Sequence, residues 1–210
     1  MRKRTKMLSV IFSVGLLLTG CGGYEVPQGF TKVHHSYDEL TEYAQGYDPQ
    51  AVVEEDYREL KEQSREFRLY PAVINGVDCT VGSVSDYIYD RSGEFTQEFY
   101  KMDTDYDFYV IKEVLEGYPE LGTIGDESVS TRYQNNGIIS SKIVIADMTP
   151  EMMDDLYAQF EEMSSELKPY DLFKEYWLQI ETGGKRYYFV ADDPETKQTV
   201  YDQMTEDSVF

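Results

Sequence analysis

Few residues in this chain can do covalent or coordination chemistry. There are two cysteines, Cys21 and Cys79, and two histidines, the adjacent pair His34-His35, in 210 residues. Asp103, Asp105 and Asp107 stand at alternate positions, the kind of hard oxygen donors that a divalent cation takes. Forty acidic residues offer carboxylate pairs for acid–base hydrolysis, which needs two such groups roughly 5–10 Å apart. The single tryptophan, Trp177, lies among tyrosines where an aromatic binding face could form.

Each of these has a plainer reading. The run Asp103-Thr104-Asp105-Tyr106-Asp107 looks like the opening of an EF-hand calcium loop. Phe108 stands where that loop's sharp turn takes glycine, and Val114 where its bidentate glutamate belongs. The aspartates then serve as acidic residues at a helix N-terminus. Two histidines alone fall short of a closed metal site, which takes three or four rigid ligands. They also fall where the sequence predicts a solvated linker, away from any nucleophile they would activate. The chain has no G-x-S-x-G, H-E-x-x-H or C-x-x-C and no glycine-rich phosphate loop, so no cofactor is expected.

Cys21 is different, because its context is specific. Arg2, Lys3, Arg4 and Lys6 form a cationic head, and Met7 to Leu18 is hydrocarbon broken only by Ser9, Ser13 and Gly15. That run fits the ~7–15 residue core of a signal peptide and is short of the ~20 that cross a bilayer. Leu18-Thr19-Gly20-Cys21 resembles the lipobox of bacterial lipoproteins. The resemblance implies cleavage before Cys21, a diacylglyceryl group on its sulfur, and a protein held at the extracytoplasmic face of the cell membrane. Fatty chains contribute ~0.8 kcal/mol per buried methylene, and two of them anchor stably where one does not. The remainder has the general look of small lipoproteins of Gram-positive bacteria, a likeness that rests on no motif and implies no activity.

The boundaries follow: residues 1–20 a signal peptide, 21–35 a flexible tether, and 36–210 a single α+β domain. The formal charge is −21, and losing the cationic head makes the remainder more acidic still. Such a surface repels phosphate backbones, so nucleic acid is excluded as a partner. With Cys21 alkylated, Cys79 is left without an intrachain partner, and the fold must stand on packing. Nineteen tyrosines and ten phenylalanines point to half-buried strands.

Periodicity sketches the elements. Ser36-Tyr37-Asp38-Glu39 is a capping box for a helix to about Ala44. Asp48-Pro49 opens a second helix over 49–64, with a strand through Ala51-Val52-Val53 as the alternative. Asn75-Gly76 turns a hairpin that pairs Ile74 with Val77 and Ala72 with Cys79. Further strands follow at 84–89 and 95–102, then a helix from Asp103–Asp107 to about Glu116. A second hairpin joins 128–134 to 138–146 through Asn135-Asn136-Gly137, and Thr149-Pro150 starts a helix over 150–167. A third turns at Gly183-Gly184, with Glu181 opposite Arg186 and with Trp177, Gln179, Glu181, Tyr188 and Val190 sharing a mixed face. A last helix runs from Asp193-Pro194 to about Met204.

A helical stretch over 36–64 followed by three hairpin–helix units predicts a twisted antiparallel sheet built from hairpins, with amphipathic helices packed on one face. The function this favours is a lipid-anchored domain that binds a protein, peptide or cell-wall ligand and is no enzyme. The alternatives are a surface hydrolase using paired carboxylates and an acidic cation-binding or assembly protein. Cys21→Ser removes the sulfur that would carry the lipid. Fractionation of the host should then find the native chain in the membrane pellet and the variant released from it.

Overall fold

The computed structural model describes residues 26, 28–62, 65–89, 95–125, 128–133, 137–170, 172–191, 193 and 195–209. Over these the chain is α+β. Its strands are β1 (Phe30–Thr31), β2 (Val52–Val53), β3 (Arg58–Glu62), β4 (Arg65–Ile74), β5 (Val77–Tyr89), β6 (Phe95–Thr104), β7 (Ile138–Val144), β8 (Glu175–Thr182) and β9 (Lys185–Val190). Its helices are α1 (Tyr37–Tyr47), α2 (Tyr106–Leu115), α3 (Val129–Arg132), α4 (Pro150–Leu167) and α5 (Thr196–Glu206).

A six-stranded antiparallel sheet runs β1-β6-β5-β4-β2, with β3 also paired to β4. The Asn75-Gly76 turn sets its register as the sequence predicts, with Ile74 opposite Val77 and Ala72 opposite Cys79. Asn75 and Gly76 both have the positive φ that such a turn demands. Tyr70, Ala72, Ile74, Cys79 and Val81 are buried on one face of this sheet. They join a core that includes Leu40 and Ala44 of α1 and Val110 and Ile111 of α2. On the other face Phe67, Leu69 and Val84 close around Tyr133 in a smaller cluster.

Three stretches differ from their expected form. Residues 49–64 hold β2 and β3 in place of a helix, and both pair with β4. Ion pairs span β3 and β4, Arg68 meeting Glu59 and Lys61 meeting Glu66. Part of the span 21–35 expected as a tether is folded, because β1 pairs with β6 and His35 is buried, its amide donating to Ser83 Oγ. The second hairpin does not form. Residues 129–132 make α3, and β7 pairs in parallel with β8 across the long crossover helix α4. Residues 135 and 136 of its expected turn lie outside the described residues.

The second sheet, β7-β8-β9, is therefore mixed. α4 follows its predicted span, with Thr149 Oγ1 capping the Met152 amide and Met153, Leu156, Phe160, Met163 and Leu167 buried. Those side chains meet Tyr176, Leu178, Ile180, Tyr187 and Phe189, the inner face of β8 and β9, in the same core that the first sheet joins. α5 starts two residues past Pro194 and covers β9 through Val200 and Met204. Among the described residues no helix is long and apolar enough to cross a membrane.

The segment before α3 lies against the edge of β7, where the Lys142 amide donates to Thr123 O. Gly122 makes this possible. Its φ is +76°, and a Cβ there would stand 2.2 Å from Lys142 O. Gly122→Ala is therefore expected to cost about 3 kcal/mol or more, since strain and a backbone clash coincide. Urea unfolding of the variant checks this; an unchanged midpoint would refute it.

Candidate functional site

The aspartate run lies inside the molecule. Asp103 is 6% exposed, and Asp105 and Asp107 are fully buried. The three diverge. Asp103 pairs with Lys101 Nζ at 2.9 Å and Lys174 Nζ at 3.4 Å. Asp105 accepts from Arg132 Nε at 3.1 Å, and from the Thr80 amide and hydroxyl at 2.6 and 3.0 Å. Asp107 Oδ2 accepts the amides of Phe173 and Lys174 at 3.0 and 2.7 Å, while its Oδ1 has no partner. Asp103 and Asp107 both hold Lys174, one by its ammonium and the other by its amide, while Asp105 holds Arg132 and Thr80, and no three acids, histidines or cysteines converge on one point among the described residues. Nor does Asp105 cap α2 as its position suggests; the Tyr106 amide donates to Thr104 Oγ1 instead.

Burial raises the Asp105 carboxyl, against hydrogen bonds from Thr80 and the nearby Arg132 and Lys174 charges. Burial also raises Asp107, against Lys174 and the two amides it accepts. Raised acids are what a hydrolase needs, but a catalytic acid must reach its substrate, and neither of these reaches the surface. Cys79 is equally withdrawn. Burial and Asp105 push its thiol up to about 12, so little thiolate forms near neutrality. The histidines pack on the first sheet, the His34 ring centroid 4.0 Å from that of Tyr100. Burial and the Arg68 charge lower His34 below its ordinary value.

A surface of another kind emerges on the second sheet. Its inner face is filled by α4 and α5, and the outer side chains of β7, β8 and β9 form a regular grid in which Lys142, Val144, Arg186 and Tyr188 are exposed and Ser140, Trp177, Gln179, Glu181 and Val190 are half-buried. Pairing aligns Ser140, Trp177 and Val190 in one row; Lys142, Gln179 and Tyr188 in the next; and Val144, Glu181 and Arg186 in the third. Val144 is 70% and Tyr188 37% exposed. The Trp177 and Tyr188 rings meet edge to face with centroids 5.7 Å apart. The indole N–H donates to Glu175 Oε2 at 3.1 Å, which fixes the ring's orientation.

Glu181 is the hub of the grid. It accepts from Lys142 Nζ at 2.8 Å, Arg186 Nε at 2.8 Å and Gln179 Nε2 at 3.0 Å. The Lys142 hydrogen bond, with Arg186 beside it, holds its carboxyl below the usual range. The pairing of Glu181 with Arg186 and the shared face of Trp177, Gln179, Tyr188 and Val190 follow from strand alternation alone. Lys142 and Val144 do not, since they arrive only through the parallel pairing of β7. The lipid-attachment residue Cys21 lies outside the described residues.

No known protein family matches the chain, and no curated protein or solved structure matches it either.

Asp107 gives a pH test of the buried run. A carboxyl that ionises at ~3.9 in the unfolded chain and higher in the fold keeps its proton longer in the native state. Above ~pH 4 the unfolded state therefore binds fewer protons, and this group's contribution falls as pH rises through its folded pKa. Asp107→Asn keeps an oxygen for the two amides and removes the titration. Urea unfolding between pH 4 and 7 should show the variant gaining on the native protein as pH rises; parallel pH profiles would refute the assignment.

Proposed function

We propose that the chain is a membrane-anchored extracytoplasmic lipoprotein whose folded part binds a ligand or partner and is not catalytic. A diacylglyceryl group on Cys21 holds it to the membrane, and the protein, peptide or cell-wall ligand meets the uncovered face of the second sheet. One observation carries this reading: an ordered grid of aromatic, amide and ionic side chains is left open on a sheet whose opposite face is fully packed. Trp, Tyr and Arg are the residues that most often supply binding energy at interfaces. Here they are held by defined partners, so little side-chain freedom is lost when a ligand arrives.

Immobilised full-length protein, in a zwitterionic detergent, should retain material from its own cell-surface extract. Tyr188→Ala with Arg186→Glu should abolish that retention and leave circular dichroism unchanged. Equal retention by native and doubly substituted protein would remove this face from the proposal.

A further inference from the structure

The size and charge of the open face narrow its ligand. Three strands ~4.8 Å apart, with side chains recurring every ~6.8 Å along each, give a platform about 10 by 14 Å between its outer Cα positions. A standard protein–protein interface takes about 800 Å² from each partner, several times this footprint. An occupant confined to these rows is small. The sheet's edge at β9 is partly taken, the Val190 amide donating to Thr196 Oγ1 and that hydroxyl to Tyr188 O, which shortens the backbone ladder an extended peptide could join. What it presents are ring surfaces, a side-chain amide and oriented ionic groups.

Charge narrows it further. Lys142 and Arg186 on this face are balanced by Glu175 and Glu181, in a chain whose formal charge is −21. The balance is local as well as numerical. Glu181 is shared between both cations, and Glu175 is held by the Trp177 indole. An electroneutral, internally paired surface on so acidic a chain complements a ligand without net charge. At its third row the face runs into an open hollow of about 470 Å³, lined among others by Val144, Glu181, Thr182 and Arg186.

Resting on the binding reading above, we propose that this face takes a short, uncharged oligosaccharide. Its C–H faces lie on the Trp177–Tyr188 pair, whose ring faces are negative, and its hydroxyls or acetamido groups meet Gln179 and the hollow beside Glu181 and Arg186. Trp177 is the chain's one tryptophan, so its emission reports on this face alone.

The test titrates full-length protein, in a sugar-free zwitterionic detergent, with β-1,4-linked tetrasaccharides of glucose and of N-acetylglucosamine. At least one of them should shift Trp177 emission saturably, with a Kd that changes less than about twofold between low and high salt. Tyr188→Ala and Gln179→Ala should each weaken binding about tenfold at unchanged circular dichroism. A Kd that rises steeply with salt overturns the uncharged ligand. Binding undiminished in both variants overturns the site. If neither sugar moves the emission, yet cell-surface material is held by the native face and lost by Tyr188→Ala, the sugar is overturned and the binding face survives. If neither occurs, both proposals fall.

Discussion

Lys174, 8% exposed at its side chain, holds the two sheets in register from inside the molecule. Its ammonium donates to Thr104 O at 2.8 Å and Arg132 O at 2.9 Å and faces Asp103, while its own amide and that of Phe173 close on Asp107. One residue thereby ties the end of β6, the start of α2 and the end of α3 to the segment that becomes β8. A buried ammonium is tolerable only with such a full set of acceptors, and loss of any partner leaves a charge stranded in low dielectric. The position of β8, and so of everything on the second sheet, depends on that set being complete. Asp105 and Arg132 extend the network to Thr80 on β5, whose carbonyl accepts from the Tyr133 hydroxyl.

This explains a division of labour between the two ends of the polar sequence. The aspartates that looked like ligands are structural, and they are spent on holding elements together. The residues that face outward on the second sheet are instead uncharged or internally paired. Burying carboxylates at a junction fixes geometry where hydrophobic packing, which is non-directional, would allow sliding. A flat face needs that precision, since its rows are aligned only while β7, β8 and β9 keep their register.

Local signals carried much of this to the sequence reader. The hairpins at Asn75-Gly76 and Gly183-Gly184, the Ser36 capping box and the Thr149-Pro150 start of α4 are each specified by two to four neighbouring residues, and each stands in the structure. What failed was long-range. Nothing within 49–64 announces that Arg58–Glu62 will find complementary charges on β4, where Arg68 lies nine residues beyond the Glu59 it meets. The pairing of β7 with β8 crosses an eighteen-residue helix, so proximity in sequence argued for the wrong neighbour. The candidate site was legible by halves for the same reason. Trp177, Gln179, Glu181 and Tyr188 sit on one hairpin, whereas Lys142 comes from across the crossover.

The way the first described strand joins the fold also has a mechanical meaning. β1 holds to β6 through two residue pairs, Phe30 with Lys101 and Thr31 with Tyr100, and the next link inward is the His35 amide on Ser83. Any load applied through the N-terminal segment reaches the molecule there, a few bonds at a time. Those two pairs are the first contacts to bear such a load, and β6 passes it on to the much longer β4–β5–β6 ladder.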